Sequence, residues 1–438
     1  MDYQEALAYL KQLNKFGMNL GLRRIERLLE LLGQPHRQLR VIHVAGTNGK
    51  GSTCAMISQI LQAGGYRVGL YTSPHLHSYT ERIRLDGQPV KEADFARLLT
   101  TIQPLVDQIL AEGYDHPTEF EVLTAAGLLF FCQERVDLAV IEVGLGGLLD
   151  STNVVKPLVS VITNVSFDHL DQLGTTLPEI AQAKAGIIKP GVPVVAAADQ
   201  VEVLRVIEKK CAAQRAPLIR IGQDVRWVGV ASSIKGQTFN VSGREFNYDN
   251  LFIRLLGKHQ LVNATTAVTV AHLLNQQNIT IPEPAIRRGL AEATWPGRLE
   301  IIRTHPWLVV DGAHNQAGAE TLAVSLQEYF AYTKLILVIG MLDDKERDKV
   351  LAILGPLADT VVVTRPPSTR AVEWQTLGSL ARRYTEQIYL EENVEKAVRL
   401  ALQLAGPDDL VCFTGSLYLI AEIRALLLRG GNMEPSDN

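Results

Sequence analysis

The stretch HVAGTNGKGST, residues 43–53, combines glycines with one lysine and hydroxyl residues. The common phosphate-binding loop is G-x-x-x-x-G-K-[ST], in which the hydroxyl residue follows the lysine directly. Here Gly51 separates Lys50 from Ser52, and Val44 stands where that pattern has its first glycine. A glycine-rich turn before a helix directs backbone N–H groups and the positive helix end toward one point, which favours phosphate. The stretch therefore predicts a nucleotide site, with Lys50 at the outer phosphates and a hydroxyl for magnesium; a tight turn with a solvated lysine is the alternative.

Polar residues also follow three other apolar runs that have the composition of strands. Glu142 ends one run, Asp168 and His169 follow another, and Asp311 with His314 follows a third. The carboxyl ends of strands are where α/β sheets bind ligands. Because a carboxylate at a buried strand end is costly without a cation, Glu142 is a candidate magnesium ligand. A solvated loop histidine fits His169 equally well, and the Asp311 pair suits acid–base work or phosphate orientation as well as an ordinary turn.

Lys184 lies in IAQAKAGIIKP, at what the pattern indicates is a small, apolar helix start. A helical lysine usually has a solvated amine or extends its stem to reach water. Alone, this residue predicts no site.

Strands and helices must alternate along the chain to position these residues. The apolar runs from Arg40 onward are typical of strands buried on both faces of a parallel sheet. The predicted strands cover residues 40–45, 67–73, 138–144 and 158–165, and the helices between them 52–61, 120–131 and 178–188. Two amphipathic helices are predicted in the first 32 residues, a small antiparallel sheet in 217–255, and helices at 259–277 and 282–294.

A second α/β series follows the turn-rich tripeptide Trp295-Pro296-Gly297. Its predicted strands are 307–313, 335–341, 360–365 and 410–416, each followed by a helical stretch. The pattern predicts an α/β protein of two domains, residues 1–296 and 297–438. The first would be a doubly wound, mostly parallel sheet with the phosphate loop, and the second a smaller Rossmann-like α/β domain. The tail GGNMEPSDN should be loose.

Composition excludes several classes of protein. The 438 residues are 47% hydrophobic and 21% charged, with a formal net charge of −4 and no basic block, so nucleic acid is not an expected partner. No signal peptide and no apolar run of membrane-spanning length is visible. The four cysteines, at 54, 132, 211 and 412, are too far apart for a CxxC motif and are expected to be reduced thiols of a cytoplasmic protein.

Together these motifs resemble the Mur ligase superfamily, and within it the folylpolyglutamate synthase and dihydrofolate synthase group. The stretches that carry the resemblance are HVAGTNGKGST, YTSPHL with ERIRL, EVGLGGLLDSTN, TNVSFDH, AKAGIIKPG, GKHQLVNATTA, WPGRLE and DGAHN. In this superfamily a glycine normally separates the loop lysine from the hydroxyl residue. The resemblance implies ATP-dependent amide formation through an acyl phosphate, with L-glutamate as the amine and dihydropteroate or a reduced folate as the acid. It also implies a monomer.

The resemblance assigns roles in ATP and metal binding by position. The residues expected to hold the phosphates are Gly46, Thr47, Asn48, Gly49, Lys50, Gly51 and Ser52. Ser52 and Glu142 would hold one magnesium ion, and His169 a second. Lys184 matches the lysine that this family carbamylates, whose added carboxylate would help anchor the second ion.

Other positions match the family's substrate contacts. The further ATP contacts are Asn263, Arg298 and Asp311, the last two reaching ATP from the domain interface. His314 matches a histidine near the transferring phosphate. The loop expected to face the pterin substrate carries Ser73, Pro74, His75 and Arg82.

The sequence departs from the family pattern at four positions. Leu148 stands where arginine is frequent, Ala183 where glutamate often precedes the modified lysine, Gln316 where proline is usual, and Ser166 where glycine is. None of these removes a residue assigned to metal or phosphate. Two alternatives remain: another Mur-type ligase, such as a peptidoglycan precursor ligase, and a nucleotide switch or transport ATPase. SPHL, ERIRL and DGAHN argue against the first, and the second gives Asp311 and His314 no role.

Overall fold

The chain, in a computed structural model that describes residues 1–13, 17 and 19–429, forms two compact units. The first comprises residues 1–231, 237–254 and 259–294. The second begins at Trp295 and also takes two short earlier segments, 232–236 and 255–258. The tail predicted to be loose, 430–438, lies outside the described residues.

The first unit is built on an eight-stranded sheet in the order β4-β3-β2-β5-β1-β6-β7-β8. Its strands are β1 (Val41–Ala45), β2 (Val68–Tyr71), β3 (Ile83–Leu85), β4 (Gln88–Pro89), β5 (Leu138–Glu142), β6 (Pro157–Ile162), β7 (Val194–Ala196) and β8 (Leu218–Arg220). The pairs from β2 to β8 are parallel, whereas β3 and β4 add an antiparallel edge. The central strands consist mostly of β-branched and aliphatic residues because helices cover both of their faces.

Ten helices belong to the part of this unit that the structure describes. They are α1 (Tyr3–Leu13), α2 (Arg23–Leu31), α3 (Lys50–Ala63), α4 (Glu92–Ala111), α5 (Glu119–Gln133), α6 (Leu170–Leu173), α7 (Leu177–Lys184), α8 (Val201–Gln214), α9 (Lys258–Gln276) and α10 (Glu283–Glu292). One apolar cluster includes Tyr71, Phe95 and Phe131, and another includes Ile162 and Ile187. Each such fully buried side chain stabilises the fold by about 1.5–3 kcal/mol.

Strand order decides where the candidate residues meet. β1 lies between β5 and β6, with Val44 in register with Glu142 and Ala45 with Ile162. The carboxyl ends of these three parallel strands therefore share one edge, at the point where the chain turns from one side of β1 to the other. Such a switch point is where doubly wound sheets bind ligands.

A small three-stranded sheet follows β8. It contains β9 (Arg226–Ser233), β10 (Gly236–Ser242) and β11 (Asn247–Ile253), in the order β11-β10-β9. Phe239 and Leu251 are buried, whereas most of β9 is exposed. The predicted antiparallel sheet in 217–255 is thus present, except that β8 joins the large sheet instead.

The second unit is a six-stranded sheet in the order β12-β13-β17-β14-β15-β16, parallel except for β12. Its strands are β12 (Glu300–Thr304), β13 (Trp307–Val310), β14 (Leu335–Ile339), β15 (Thr360–Val363), β16 (Ile388–Leu390) and β17 (Leu410–Thr414). Its helices are α11 (Gln316–Tyr329), α12 (Arg347–Leu354), α13 (Thr376–Ala381), α14 (Val394–Leu404) and α15 (Leu417–Arg429). Leu322, Leu337 and Leu351 belong to its core.

The predicted α/β class is confirmed, and so is the mostly parallel sheet that carries the loop. One detail is wrong: Lys184 is the last residue of α7, not at a helix start, and a 3₁₀ turn follows it. The antiparallel strands β3, β4 and β12 were not predicted. None of the described helices combines the length and apolar character needed to cross a membrane.

Candidate active site

The phosphate loop joins β1 to α3 at the carboxyl edge of the sheet. Gly49 is the N-cap of α3 with φ +80°, and Gly46 has φ +153°. Both values favour glycine. Thr163 and Asn164, which follow β6, hold the loop: Asn48 N donates to Asn164 Oδ1 at 2.7 Å, and Thr163 Oγ1 donates to Asn48 O at 2.7 Å.

Space as well as backbone angle requires the two glycines. A Cβ on Gly46 would lie 1.9 Å from Thr163 Oγ1, and one on Gly49 would lie 2.6 Å from Asn263 Oδ1. Both distances are shorter than a carbon and an oxygen atom that are not bonded to each other can approach. The loop therefore has its shape because neighbouring polar side chains press against its glycines, and it leaves the start of α3 pointing at the sheet edge, the arrangement that binds phosphate.

Two lysine amines converge on this loop. Lys50 Nζ donates to Gly46 O at 3.2 Å and to Thr47 O at 3.0 Å, and Lys184 Nζ donates to Gly46 O at 2.9 Å. Lys184 is 3% exposed. Burial, and then the positive charge of Lys50, lowers the pKa of Lys184 to about 7. The Lys184 amine is therefore partly neutral at ordinary pH.

Glu142 ends β5, 4% exposed, and accepts from Ser73 N at 3.3 Å. A buried carboxylate and the Ser52 hydroxyl at the start of α3 are oxygen donors that suit magnesium. Among the described residues no three His, Cys, Asp or Glu side chains gather into a cage. Magnesium in nucleotide sites needs no such cage because one or two protein oxygens suffice when substrate phosphates and water complete the shell. The donor set fits that mode.

His169 lies after β6 as predicted, at the N-cap of the short helix α6. Its backbone is left-handed, with φ +52°, and its Nε2 is 3.9 Å from Asp168 Oδ1. Asp168 also contributes to the electrostatic environment of Lys184. The structure thus brings Asp168 into the neighbourhood of Lys184, whereas a metal role for His169 stays a prediction.

Asn263 approaches the loop from α9. Its Nδ2 donates to Gln260 Oε1 at 3.0 Å, and Gln260 Nε2 donates to Ser52 Oγ at 3.4 Å. Gln260 and Asn263 lie one helical turn apart, so both face the same way. The predicted ATP residue Asn263 thus lies against Gly49 of the phosphate loop and is linked through Gln260 to Ser52.

The predicted substrate loop follows β2. Arg82 Nε donates to His75 Nδ1 at 3.0 Å, and its guanidinium lies 5.3 Å from the Tyr79 ring centroid and 3.6 Å from Glu119 Oε1. Burial, then the Arg82 charge, lowers the pKa of His75 to about 4, so the ring is neutral. The contact between Ser73 N and Glu142 brings the start of this loop against the predicted metal ligand.

The second unit presents its own polar turn between β13 and α11. Asp311 accepts from Leu299 N and from Ala313 N, both at 2.8 Å, and His314 Nδ1 donates to Gly312 O at 2.8 Å. Burial raises the pKa of Asp311, and the nearby Arg298 charge opposes that rise. Asp311, Arg298 and His314 therefore form one cluster; the sequence pattern paired Asp311 with His314, and Arg298 was assigned only by the family resemblance.

Sequence reasoning missed several residues that contact the phosphate loop or the start of α3. Thr163, Asn164 and Gln260 make the contacts described above, and His43 on β1 hydrogen-bonds Thr152 in the 3₁₀ turn Ser151–Val154. The pair Thr-Asn at the end of an apolar run, and Gln260 three residues before Asn263, were visible signals. His43 carried none, since its partner is 109 residues away.

Comparison with known proteins decides among the families compatible with this geometry. The family model for the Mur ligase middle domain matches residues 44–271, and that for the Mur ligase glutamate ligase domain matches residues 297–417. The chain belongs to the Mur ligase family. Within this family it falls in the folylpolyglutamate synthase and dihydrofolate synthase group.

Three members of this Mur ligase group illustrate the similarity. The dihydrofolate synthase/folylpolyglutamate synthase of Bacillus subtilis is 36% identical over 430 residues, covering 97% of this chain and 99% of that protein. The Mycobacterium tuberculosis folylpolyglutamate synthase, solved with ADP, has a TM-score of 0.90 and 34% identity, with 97% and 99% coverage. Escherichia coli FolC, solved with DHPP and ADP, has a TM-score of 0.88 and 31% identity, with 98% of each chain covered.

Proposed function

We propose that this Mur ligase joins L-glutamate to a folate-type carboxylate, as a folylpolyglutamate synthase that also acts as a dihydrofolate synthase. A carboxylate oxygen of the acid attacks the γ-phosphorus of ATP, giving an acyl phosphate and ADP. The glutamate amine then attacks the acyl carbon, the C–O bond to phosphate breaks, and the amine loses a proton as phosphate leaves. The first step makes the acyl carbon reactive because the glutamate amine then displaces phosphate, a good leaving group, whereas a free carboxylate offers only a poor one.

The observation that carries the proposal is the glycine-rich phosphate loop at the sheet edge, with the Lys50 amine against it and Glu142 at the end of the adjacent strand. The loop N–H groups and the Lys50 amine suit a triphosphate, because phosphoryl transfer depends chiefly on positioning and charge neutralisation. The buried Lys184 amine, which also donates to Gly46 O, lies beside the loop and has a separate proposed role. In the proposed complex, Lys50 turns from its two carbonyls to the outer phosphates while the loop N–H groups hold them.

Magnesium is the proposed cofactor, and Ser52 and Glu142 would hold it, with His169 at a second ion. When bound, the metal neutralises phosphate charge. The protein's own part is to keep Glu142 at a fixed strand end, where burial and the Ser73 N–H orient its carboxylate.

Lys184 is proposed to carry a carbamate. Its neutral amine attacks carbon dioxide, forming an N–C bond and releasing one proton, and the product is an anionic oxygen donor of the kind magnesium prefers. The lowered pKa of Lys184, about 7, supports this, because only the unprotonated amine reacts. We expect Lys184→Ala to lose activity and to recover part of it with added acetate. Full activity in Lys184→Ala, or a bare amine in a high-resolution map with metals bound, would contradict the proposal.

The remaining roles follow the family positions. Asn263, Arg298 and Asp311 are proposed ATP contacts, and His314 is proposed to lie near the transferring phosphate during the reaction. The loop with Ser73, Pro74, His75 and Arg82 is proposed to face the pterin. A neutral His75 held by Arg82 supports that role, since a pterin offers both hydrogen-bond donors and acceptors.

We also propose that the protein works in the cytoplasm as a monomer. The four cysteines, three of them buried, are free thiols, which supports a reducing compartment. Size-exclusion chromatography with light scattering tests the monomer.

The decisive experiment measures ADP release with and without L-glutamate, using dihydropteroate and then tetrahydrofolate as the acid. Glutamate-dependent release with either acid supports the proposal, and use of both supports the two activities. ADP release that is independent of glutamate would instead favour a nucleotide switch or transport ATPase. Release only with a peptidoglycan precursor and another amino acid would favour the other ligase class.

A further inference from the structure

A buried hydrogen-bond chain starts at His43, next to Val44, the residue of β1 that is in register with Glu142. His43, in the middle of β1, is 0% exposed in an otherwise aliphatic strand. Its Nε2 lies 2.8 Å from Thr152 Oγ1. Burial, with a contribution from Lys189, lowers the pKa of His43 to about 3, so the ring is neutral. Nδ1 of the ring has no hydrogen-bond partner among the described residues, so the contact of Nε2 with Thr152 is what offsets the cost of burying the imidazole.

The direction of proton donation along this hydrogen-bond chain follows from its last member, the Asp150 carboxylate. Thr152 Oγ1 donates to Asp150 Oδ1, and Asp150 also accepts from Thr152 N at 3.0 Å and from Leu145 N at 2.7 Å. Because the threonine proton is used on the carboxylate, the same hydroxyl oxygen must accept from the imidazole. His43 is therefore the Nε2–H tautomer, and protons are donated in the order His43, Thr152, Asp150.

Asp150 in turn holds the glycine-rich segment 144–148, which begins two residues after Glu142. Leu145 N is bound to Asp150 on one side of the segment. On the other side Leu148 N donates to Ala183 O at 2.8 Å, and Ala183 directly precedes Lys184. Close packing reinforces this link, since a Cβ on Gly147 would lie 2.9 Å from Lys184 O. The segment is thus a bridge from the end of β5 to the end of α7.

We propose that His43 and Thr152 are positioning residues that fix the spacing between Glu142 and Lys184 through Asp150 and the segment 144–148. The inference rests on the proposed roles of Glu142 and Lys184. It makes a specific kinetic prediction because the phosphate loop has its own supports, Thr163 and Asn164. Breaking the chain should lower kcat and raise the magnesium requirement while leaving the KM for ATP nearly unchanged.

The test compares two substitutions at one position with a matched control. Thr152→Val removes the hydroxyl but keeps the shape, and Thr152→Ser keeps the hydroxyl. Thr269→Val makes the same change at another 0% exposed threonine, whose Oγ1 only donates to Thr265 O at 2.8 Å within α9. We expect Thr152→Val to lose about tenfold in kcat, to need several-fold more magnesium for half activity, and to keep the KM for ATP within about twofold. Thr152→Ser and Thr269→Val should keep kcat and the magnesium requirement within about twofold of wild type.

A second pair of variants covers the case in which Thr152→Val does not fold. His43→Gln keeps an N–H donor near the Nε2 position, and His43→Leu removes it, so only the second should show the kinetic change. Loss of thermal stability in Thr152→Val or His43→Leu with wild-type kcat and magnesium dependence would overturn the inference. Equal damage from Thr152→Ser would overturn it too. If wild-type protein releases no ADP with glutamate and either acid, the proposed function itself fails; wild-type activity with Thr152→Val behaving like Thr269→Val defeats only the positioning role.

Discussion

The two polar turns of the molecule, one in each unit, have the same outline but different internal bonding. Each follows a buried parallel strand and leads into a helix: 46–49 between β1 and α3, and 311–315 between β13 and α11. In the first, side chains of remote residues such as Thr163 and Asn263 lie against the glycines, and the loop carbonyls accept from lysine amines. In the second, Asp311 binds N–H groups of its own surroundings, and Asn315 Oδ1 caps α11 through Gly318 N at 2.9 Å.

The difference predicts that substitutions in the two turns affect catalysis in different ways. A loop shaped by its backbone binds a ligand through main-chain groups, so any change in its shape is felt directly. In the second turn the Asp311 carboxylate is already satisfied by backbone N–H groups, so the turn is a stable neighbour for the side chain of Arg298, which lies before β12. Substitutions should therefore cost most in the first turn.

The largest effect is expected at Lys50. Lys50→Ala removes the charge at the outer phosphates, and a half-exposed loop lysine contributes little to packing. We expect kcat to fall by well over tenfold, more than about 1.4 kcal/mol of barrier, with an unchanged melting temperature. Steady-state kinetics and calorimetry measure both. A variant that keeps more than about a tenth of wild-type kcat would remove Lys50 from the phosphate site.

Matched glycine substitutions test the comparison directly. Gly46→Ala forces a Cβ to 1.9 Å from Thr163 Oγ1 at φ +153°, so the loop must move and kcat should fall by about 10²-fold. Gly312→Ala places a Cβ 2.5 Å from Leu417 Cδ2 and 2.7 Å from Arg298 Nη1, which are ends of flexible side chains. Its effect should be a several-fold rise in the KM for ATP through Arg298. Equal losses of kcat in the two variants would erase the distinction between the turns.

Glu142→Gln probes the first turn's metal requirement. The amide keeps the size and the acceptor for Ser73 N but loses the charge that a divalent cation needs. We expect the magnesium concentration for half activity to rise about tenfold or more while the fold is retained. Magnesium titration of ADP release measures it, with Glu292→Gln, at the exposed end of α10, as a carboxylate control. An unchanged titration would return Glu142 to a structural role.

The smallest effect concerns stability in acid. β1 carries His43 three residues before its turn, where β13 carries Leu308. The pKa of His43 is about 3 when folded and 6.5 ordinarily, so below pH 6.5 the unfolded chain binds a proton that the folded chain does not. Folding stability contributed by the neutral ring is full above that pH and is lost as pH falls, about 2 kcal/mol by about pH 5. His43→Gln should flatten this part of the curve in urea unfolding at several pH values. An identical pH slope in both proteins would contradict the neutral buried ring.

More of the fold than of the candidate site could be predicted from the sequence. Periodicity and β-branched runs located every strand next to the phosphate loop, because buried parallel strands have a strong local signature. The loop itself was predictable because its glycines and Lys50 are contiguous. The supports were not: Thr163 and Asn263 reach the loop from far along the chain, and the pairing of His43 with Thr152 depends on which strands become neighbours. Lys184 was placed at the wrong end of its helix because small residues flank it on both sides.

The two short segments that belong to the second unit, 232–236 and 255–258, have a consequence for synthesis on the ribosome. Tyr329 OH accepts from Ser232 Oγ at 2.8 Å and from Gly257 N at 3.2 Å. Two residues that are synthesised early therefore bond to a residue that is synthesised about seventy to a hundred positions later. During translation these segments are synthesised with the first unit, whereas Tyr329, to which they hydrogen-bond, is synthesised later with α11. A ribosome-bound chain stalled before Tyr329 should expose both segments to protease, and a separately expressed fragment from Trp295 onward should lack them entirely.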